Sequence, residues 1–86
     1  MYEDRINYPN GDIGGSCVTQ TPFECWDICK KTVDCIAIAW GNSNNTYAAK
    51  SCWIKNILNQ RTVDMKWISI KYKSFKGTQK RVDKTM

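Results

Sequence analysis

The chain has 86 residues, a formal net charge of +5, five cysteines and no histidine. Its length supports one small domain whose core needs covalent cross-links to be stable, and its cysteine content is typical of disulfide-bonded proteins from an oxidising compartment. The longest strongly apolar stretch, residues 35–40, is far too short to span a bilayer about 30 Å thick. We therefore expect an extracellular module from a longer protein, without a membrane-spanning segment.

The positive charge is concentrated towards the end of the chain. From Lys66 onward there are seven basic residues and one acid, Asp83, whereas the preceding residues are close to neutral overall. Residues 76–86 are polar and basic and show no apolar periodicity, which predicts a disordered tail. Residues 1–75 are therefore predicted to form a single folded module.

The first elements in chain order are a strand, a turn and a helix. Residues 5–8 are compatible with an edge strand, and Pro9-Asn10-Gly11-Asp12 is rich in turn-forming residues. A helix is predicted from about Pro22 to Thr32, because Thr21 is a good N-cap and Glu24 can bond back to the Thr21 amide in a capping box. Helical spacing then places four side chains on one face: Cys25, Ile28, Cys29 and Thr32.

The segment after the helix predicts a strand, because bulky and small side chains alternate along residues 35–40. The bulky side consists of Ile36, Ile38 and Trp40, and the small side of Cys35, Ala37 and Ala39. The small side suits close approach of the helix, so we expect the helix to pack against it.

Further strands are predicted in the second half of the chain. Residues 47–49 and 51–55 have the pattern of a returning strand, in which Cys52 and Trp53 take opposite faces. Residues 67–75 alternate again, and the side chains predicted to point inward are Ile68, Ile70 and Tyr72. One helix with several antiparallel strands gives an α+β domain.

The cysteine spacing, C-x7-C-x3-C-x5-C-x16-C, favours disulfides over a metal site. Structural zinc sites usually combine two short C-x2–4-C knuckles or include histidines, and this chain has neither, so no metal or cofactor is predicted. A bridge between Cys29 and Cys35 would close only a short loop, and Cys52 is then a candidate partner for Cys25. Spacing alone leaves other pairings open.

These cysteines also carry a family resemblance. The motif C-x3-C-x5-C-I-A-I-A-W, followed by C-W-I-K at residues 52–55, resembles the core of the PAN/Apple module, and Asp12-Ile13-Gly14-Gly15 resembles the run that precedes the helix in that family. The resemblance covers roughly residues 8–73. Within the family, these motifs are most similar to those of the apple modules of apicomplexan (Eimeria- and Toxoplasma-type) microneme adhesins. It implies a curved antiparallel sheet that cradles one helix.

The resemblance also implies the disulfide pattern, which is Cys25–Cys52 and Cys29–Cys35. Many apple modules have a third bridge between the two ends of the domain, but here no cysteine follows Cys52. Cys17 is therefore expected to be a free thiol, with another pairing or an intermolecular link as the alternatives.

The function implied by the resemblance is recognition without catalysis. PAN/Apple modules bind proteins or carbohydrates, so we expect one of several tandem adhesion modules in a secreted microneme protein, with a host-cell surface or another microneme protein as partner. The alternatives are a heparin- or glycosaminoglycan-binding module and a docking module of a protease similar to factor XI or plasma prekallikrein. The residues agree with a non-enzymatic role, because a cysteine nucleophile is poorly activated without a histidine base.

One candidate ligand face lies on the last predicted strand. Trp67, Lys71 and Lys73 share this face, because side chains two residues apart point the same way. An indole beside two ammonium groups could bind a sulfated glycan or an acidic protein, whereas the extracellular cysteine pattern disfavours nucleic acid. The alternative interpretation is a solvated strand face whose lysines prevent unwanted pairing.

Two other features concern the tryptophans and the polar loop. Trp40 and Trp53 lie in strands beside core cysteines, and we expect both to be packed. Asn44-Asn45-Thr46 forms an N-glycosylation sequon on a predicted surface loop.

Overall fold

The computed structural model describes residues 1–72. In this part of the chain one helix packs on a five-stranded antiparallel sheet, which confirms the predicted α+β class. The predicted tail, residues 76–86, lies outside the described residues. The strands follow the order β1-β5-β3-β4-β2 across the sheet, so β3 is central. The elements are β1 (Tyr2–Asn7), β2 (Cys17–Val18), α1 (Pro22–Lys30), β3 (Ala37–Gly41), β4 (Ser51–Lys55) and β5 (Thr62–Lys71).

Helix α1 begins where the sequence predicts. The Thr21 hydroxyl accepts a hydrogen bond from the Glu24 amide at 3.2 Å. The Glu24 carboxylate accepts one from the Gln20 amide at 2.7 Å, one residue earlier than the predicted partner. The helix ends at Lys30, two residues before the predicted end, because the Lys31 and Thr32 amides bond to carbonyls three residues back.

The helix packs against the bulky side of β3, so the prediction that it would use the small side is wrong. Trp40 pairs with Cys52 on β4 and with Ile68 on β5, and directly opposed residues of antiparallel strands share a face. Because Cys52 is bonded to Cys25, the helix lies over this face. Bulky side chains fill the space between helix and sheet, which small ones would leave empty. The buried cluster there comprises Cys25, Cys29, Cys35, Ile38, Trp40, Cys52, Ile68 and Ile70.

Several strand boundaries differ from the prediction: β1 covers Tyr2–Asn7 instead of residues 5–8, and β3 covers Ala37–Gly41 instead of residues 35–40. Strand β5 begins at Thr62 instead of residue 67, because β1 pairs with its first half, where Ile6 is opposite Val63. Residues 47–49 form a turn instead of a strand. This turn folds back on the end of β3, where the Lys50 amide bonds to the Gly41 carbonyl at 2.7 Å.

Two disulfides link α1 to β4 and to the segment that precedes β3. Cys25 is bonded to Cys52, and Cys29 to Cys35, which confirms both pairs that the PAN/Apple resemblance implies. All four cysteines are buried. Cys17 is a free thiol, as expected, and it is exposed on the edge strand β2.

Candidate binding groove

The sheet face opposite the helix carries a second layer of buried residues. Ala39, at the centre of β3, belongs to this face together with its register partners Trp53 and Ser69. The N-terminal segment, defined here as residues 6–12 at the end of β1 and in the loop after it, lies across part of this face. There the Ser69 hydroxyl donates a hydrogen bond to the Ile6 carbonyl at 2.6 Å, and Tyr8 is only 3% exposed. The part of the face that this segment leaves uncovered forms a groove.

The groove has a volume of about 250 Å³ and lies between two half-buried indoles. Trp53 comes from β4 and Trp67 from β5, the strands on either side of β3. These two strands are about 10 Å apart, twice the spacing of neighbouring strands. On β3 the register partners of the two indoles are small, Ala39 opposite Trp53 and Gly41 opposite Trp67. Ala39 lines the groove, whereas the space above Gly41 is occupied by the Ala48 backbone, so the groove is open on the side of Ala39.

One end of the groove is polar and is built around a buried lysine. Lys55 is 3% exposed, and its ammonium donates to Asp12 Oδ1 at 2.5 Å and to the Asn10 carbonyl at 3.1 Å. The Asp12 side chain stays 30% exposed, and its second carboxylate oxygen is a further acceptor. Asn7 and Pro9 complete this end. Because the charges of Lys55 and Asp12 cancel, the polar end offers hydrogen-bonding groups without a net charge.

The other end of the groove is closed by Ala48, which lies in the turn after β3. Asn45, which is 5% exposed, accepts a hydrogen bond from the Ala48 amide at 2.8 Å through its side chain. The Asn42 amide donates to the Lys66 carbonyl at 3.0 Å. These bonds hold the loop of residues 42–48 against β5, next to Trp67.

A charged cluster lies on the same sheet face as the groove and joins the N-terminal segment to β5. The Lys71 ammonium donates to the Tyr8 hydroxyl at 2.9 Å and lies 5.1 Å from the centre of the Tyr8 ring. The Tyr8 hydroxyl donates to Glu3 Oε1 at 2.6 Å, and Arg61 Nε donates to Glu3 Oε2 at 2.9 Å. Lys71 Nζ is also 3.8 Å from Glu3 Oε1.

This environment shifts the protonation equilibria of two members of the cluster. Burial raises the pKa of Glu3, but hydrogen bonds from Tyr8 and Arg61 and the charges of Lys71 and Arg61 outweigh burial, so the pKa lies below its ordinary value. Burial, followed by the bond to Glu3, raises the pKa of the Tyr8 phenol. Glu3 is therefore ionised and Tyr8 neutral at neutral pH, and the charge of Lys71 is compensated inside the domain.

The predicted ligand face is only partly within the described residues. Trp67 and Lys71 share the groove face, as strand alternation predicts, and Lys73 lies outside the described residues. The Lys71 ammonium is bonded to Tyr8 instead of pointing freely to solvent. Trp40 is buried, as predicted, whereas Trp53 forms a wall of the groove. The sequence signal for Trp53 is that it faces away from Cys52 on β4, and hence away from the helix.

Comparison with protein-family models, with curated proteins and with solved structures found no match to this chain. Within residues 1–72 there is no helix with the length and apolar character needed to cross a membrane. The same residues contain no group of three or more histidine, cysteine or acidic side chains placed to hold a metal ion. The groove itself offers two indoles, the ion pair of Lys55 and Asp12, and the side-chain amides of Asn7 and Asn10.

Proposed function

We propose that this chain is an extracellular, non-enzymatic recognition module of the PAN/Apple type that binds a neutral glycan between Trp53 and Trp67. The family assignment is supported by the cysteine motif, by the helix on an antiparallel sheet and by the two disulfides. The disulfides also support an oxidising, extracellular location. In this proposal the module is one of several in a microneme adhesin and attaches the parent protein to glycans of the host cell.

The observation that carries the proposal is the pair of half-buried indoles, Trp53 and Trp67, that line one groove together with the small residue Ala39. A pyranose ring has apolar C–H faces and a rim of hydroxyl groups. The indoles offer apolar surface to those faces, and the groups of Asp12, Asn10 and Asn7 can bond to the hydroxyls. The groove volume, about 250 Å³, is slightly below the range of pockets for drug-sized ligands, which suits a single sugar unit.

The charge distribution favours a neutral ligand over a sulfated one. Lys55 is neutralised by Asp12, and Lys71 interacts with Glu3 and Tyr8, so neither lysine presents an uncompensated charge to the groove. A heparin-binding site requires clustered basic groups that are free to replace the counterions of the polyanion. Heparin binding, the main alternative function, is therefore expected to involve other residues if it occurs.

The proposal can be tested by screening the secreted chain on a glycan array. We expect the parent to bind neutral glycans, and Trp53→Ala and Trp67→Ala to weaken binding about tenfold or more, which corresponds to about 1.4 kcal/mol per indole. Tyr47→Ala is the matched control, because Tyr47 is an aromatic residue that is 99% exposed and does not line the groove. Circular dichroism of each variant establishes that it is folded.

Two outcomes would contradict the proposal. The groove is not the site if both tryptophan variants bind as tightly as the Tyr47→Ala control. Binding restricted to sulfated glycans, with a steep dependence on salt, would instead favour the glycosaminoglycan-binding function. A pull-down with candidate protein partners covers the remaining possibility, a docking module that recognises protein.

A further inference from the structure

The loop that closes one end of the groove contains the single N-x-S/T sequence of the chain, Asn44-Asn45-Thr46. We propose that Asn44 is an N-glycosylation site and that its glycan covers the neighbouring exposed edge of β5. This inference concerns a modification of the protein and does not depend on what the groove binds. The glycosylation reaction requires a glycan donor of the class used in the secretory pathway, which is an oligosaccharide linked to a lipid diphosphate.

The two adjacent asparagines of the sequon have different surroundings. Asn45 is buried and holds the Ala48 amide, so it has a structural role in the loop. Asn44 and Thr46 are both exposed, which is the arrangement that an acceptor sequon requires. The Asn44 backbone amide donates to Asn42 Oδ1 at 2.8 Å, so the chain turns at this point, and Asn44 stays exposed to solvent.

The side-chain amide of Asn44 can accept a glycan without losing its contact with the sheet. Asn44 Nδ2 donates one hydrogen bond, to the Met65 carbonyl at 3.2 Å, and a primary amide has two N–H groups. Glycosylation forms a bond from Nδ2 to the anomeric carbon of the sugar, breaks the bond from that carbon to the diphosphate oxygen and releases one Nδ2 proton. The lipid diphosphate is the leaving group. One N–H remains for the Met65 carbonyl.

A second observation indicates what the glycan would do at this position. The register between β3 and β5 covers residues 67–71 of β5, so within residues 1–72 the first half of β5 has no strand partner on the side of β3. Two apolar side chains in this half are exposed, Val63 by 75% and Met65 by 57%. Exposed strand edges with apolar side chains promote association between chains. A glycan on Asn44, which contacts the Met65 backbone, would shield this edge.

The test is secretion of the full chain, behind a signal peptide, from a eukaryotic cell line. Intact mass is measured before and after treatment with an N-glycosidase, which converts a glycosylated asparagine to aspartate and so marks the site in a peptide map. We expect a glycan on the parent, its complete loss in Asn44→Gln and Thr46→Ala, and its retention in Thr46→Ser. Asn59→Gln is the matched control, because Asn59 is exposed but lies outside any sequon.

Thr46→Ala keeps the Asn44 amide, so this variant tests the site even if Asn44→Gln disturbs the loop. Mapping of the two disulfides in each secreted variant confirms that the protein has folded. The inference is overturned if Asn44 is unmodified in the correctly folded, secreted parent. It is also overturned if the glycan persists in Thr46→Ala.

Discussion

Cys17 lies directly opposite Cys52 in the antiparallel pair of β2 and β4, although Cys52 forms its disulfide with Cys25 of the helix. Opposed Cα atoms in antiparallel strands are about 4.5–5.5 Å apart, which falls within the range of about 4.4–6.8 Å that disulfides span. The strand register therefore gives Cys52 a second partner within reach. The observed pairing with Cys25 is the one that ties the helix to the sheet.

The first prediction concerns the variant Cys25→Ser, which leaves Cys52 without its helix partner. We expect Cys17 and Cys52 to form a disulfide in this variant, because the register already places their backbones at a suitable distance. Non-reducing peptide mapping detects the new pair. Recovery of Cys17 and Cys52 as two free thiols in the folded, air-oxidised variant would contradict the prediction.

The second prediction compares the two disulfides. Cys25–Cys52 joins residues 27 apart in sequence and Cys29–Cys35 joins residues six apart. The longer loop restricts the unfolded chain more, so replacing the first pair by alanines is expected to cost about 3–4 kcal/mol and replacing the second about 2 kcal/mol. Urea unfolding of the two double variants measures this difference. Cys17→Ser is the control, and we expect it to stay within about 1 kcal/mol of the parent.

The features that could be predicted from the sequence are those determined by residues close together in the chain. The start of α1 depends on Thr21 and Glu24, which are three residues apart, and the alternation correctly separates Ile38 and Trp40 from Ala37 and Ala39 within β3. It fails at Cys35, which precedes β3 and belongs to the cluster on the helix side. The disulfide pairs required the family resemblance in addition, because spacing alone allowed several arrangements. The prediction of which face of β3 contacts the helix is wrong, because the space between helix and sheet is filled by side chains from three different strands.

The groove could not be predicted from the sequence for a related reason. Trp53 and Trp67 are fourteen positions apart in the chain and line one groove only because β4 and β5 both pair with β3. That strand order is a property of the whole sheet. The small size of Ala39 is visible in the sequence, but its consequence depends on knowing that this residue lies between two indoles.

The third prediction concerns the pH dependence of stability. The folded-state pKa of Glu3 lies below the ordinary value of 4.5, so the ionised carboxylate stabilises the fold above pH 4.5. This contribution is lost as the pH falls through the lowered pKa. We expect the free energy of unfolding to decrease on acidification below pH 4.5, and Glu3→Gln to reduce that decrease. At neutral pH Glu3→Gln is expected to cost about 1–3 kcal/mol, because the Tyr8 hydroxyl loses a charged acceptor.

Asp27→Asn serves as the control for the Glu3 variant. Asp27 forms an ion pair with Lys30 at 3.3 Å, but both side chains are at least half exposed, and such pairs contribute little to stability. Urea unfolding of the parent and both variants between pH 3 and pH 7 gives the comparison. An identical pH dependence for the parent and Glu3→Gln would show that the cluster around Glu3 does not stabilise the fold.

The last prediction concerns the glycine at the end of β3, where the closing loop of the groove folds back. A Cβ atom at Gly41 would lie 1.8 Å from the carbonyl oxygen and 2.8 Å from the carbonyl carbon of Ala48. Both are backbone atoms, and the neighbouring bond from the Lys50 amide to the Gly41 carbonyl holds that backbone in place.

Gly41→Ala therefore has to displace the turn, and we expect a loss of stability of about 1–3 kcal/mol. Because Ala48 forms one end of the groove, the displacement should also change the fluorescence of the nearby Trp67. Gly15→Ala is the matched control, since no atom of residues 1–72 lies within 4 Å of a Cβ at that position. Thermal unfolding of both variants makes the comparison, and equal stability of Gly41→Ala and Gly15→Ala would mean that the loop does not pack against Gly41 in solution.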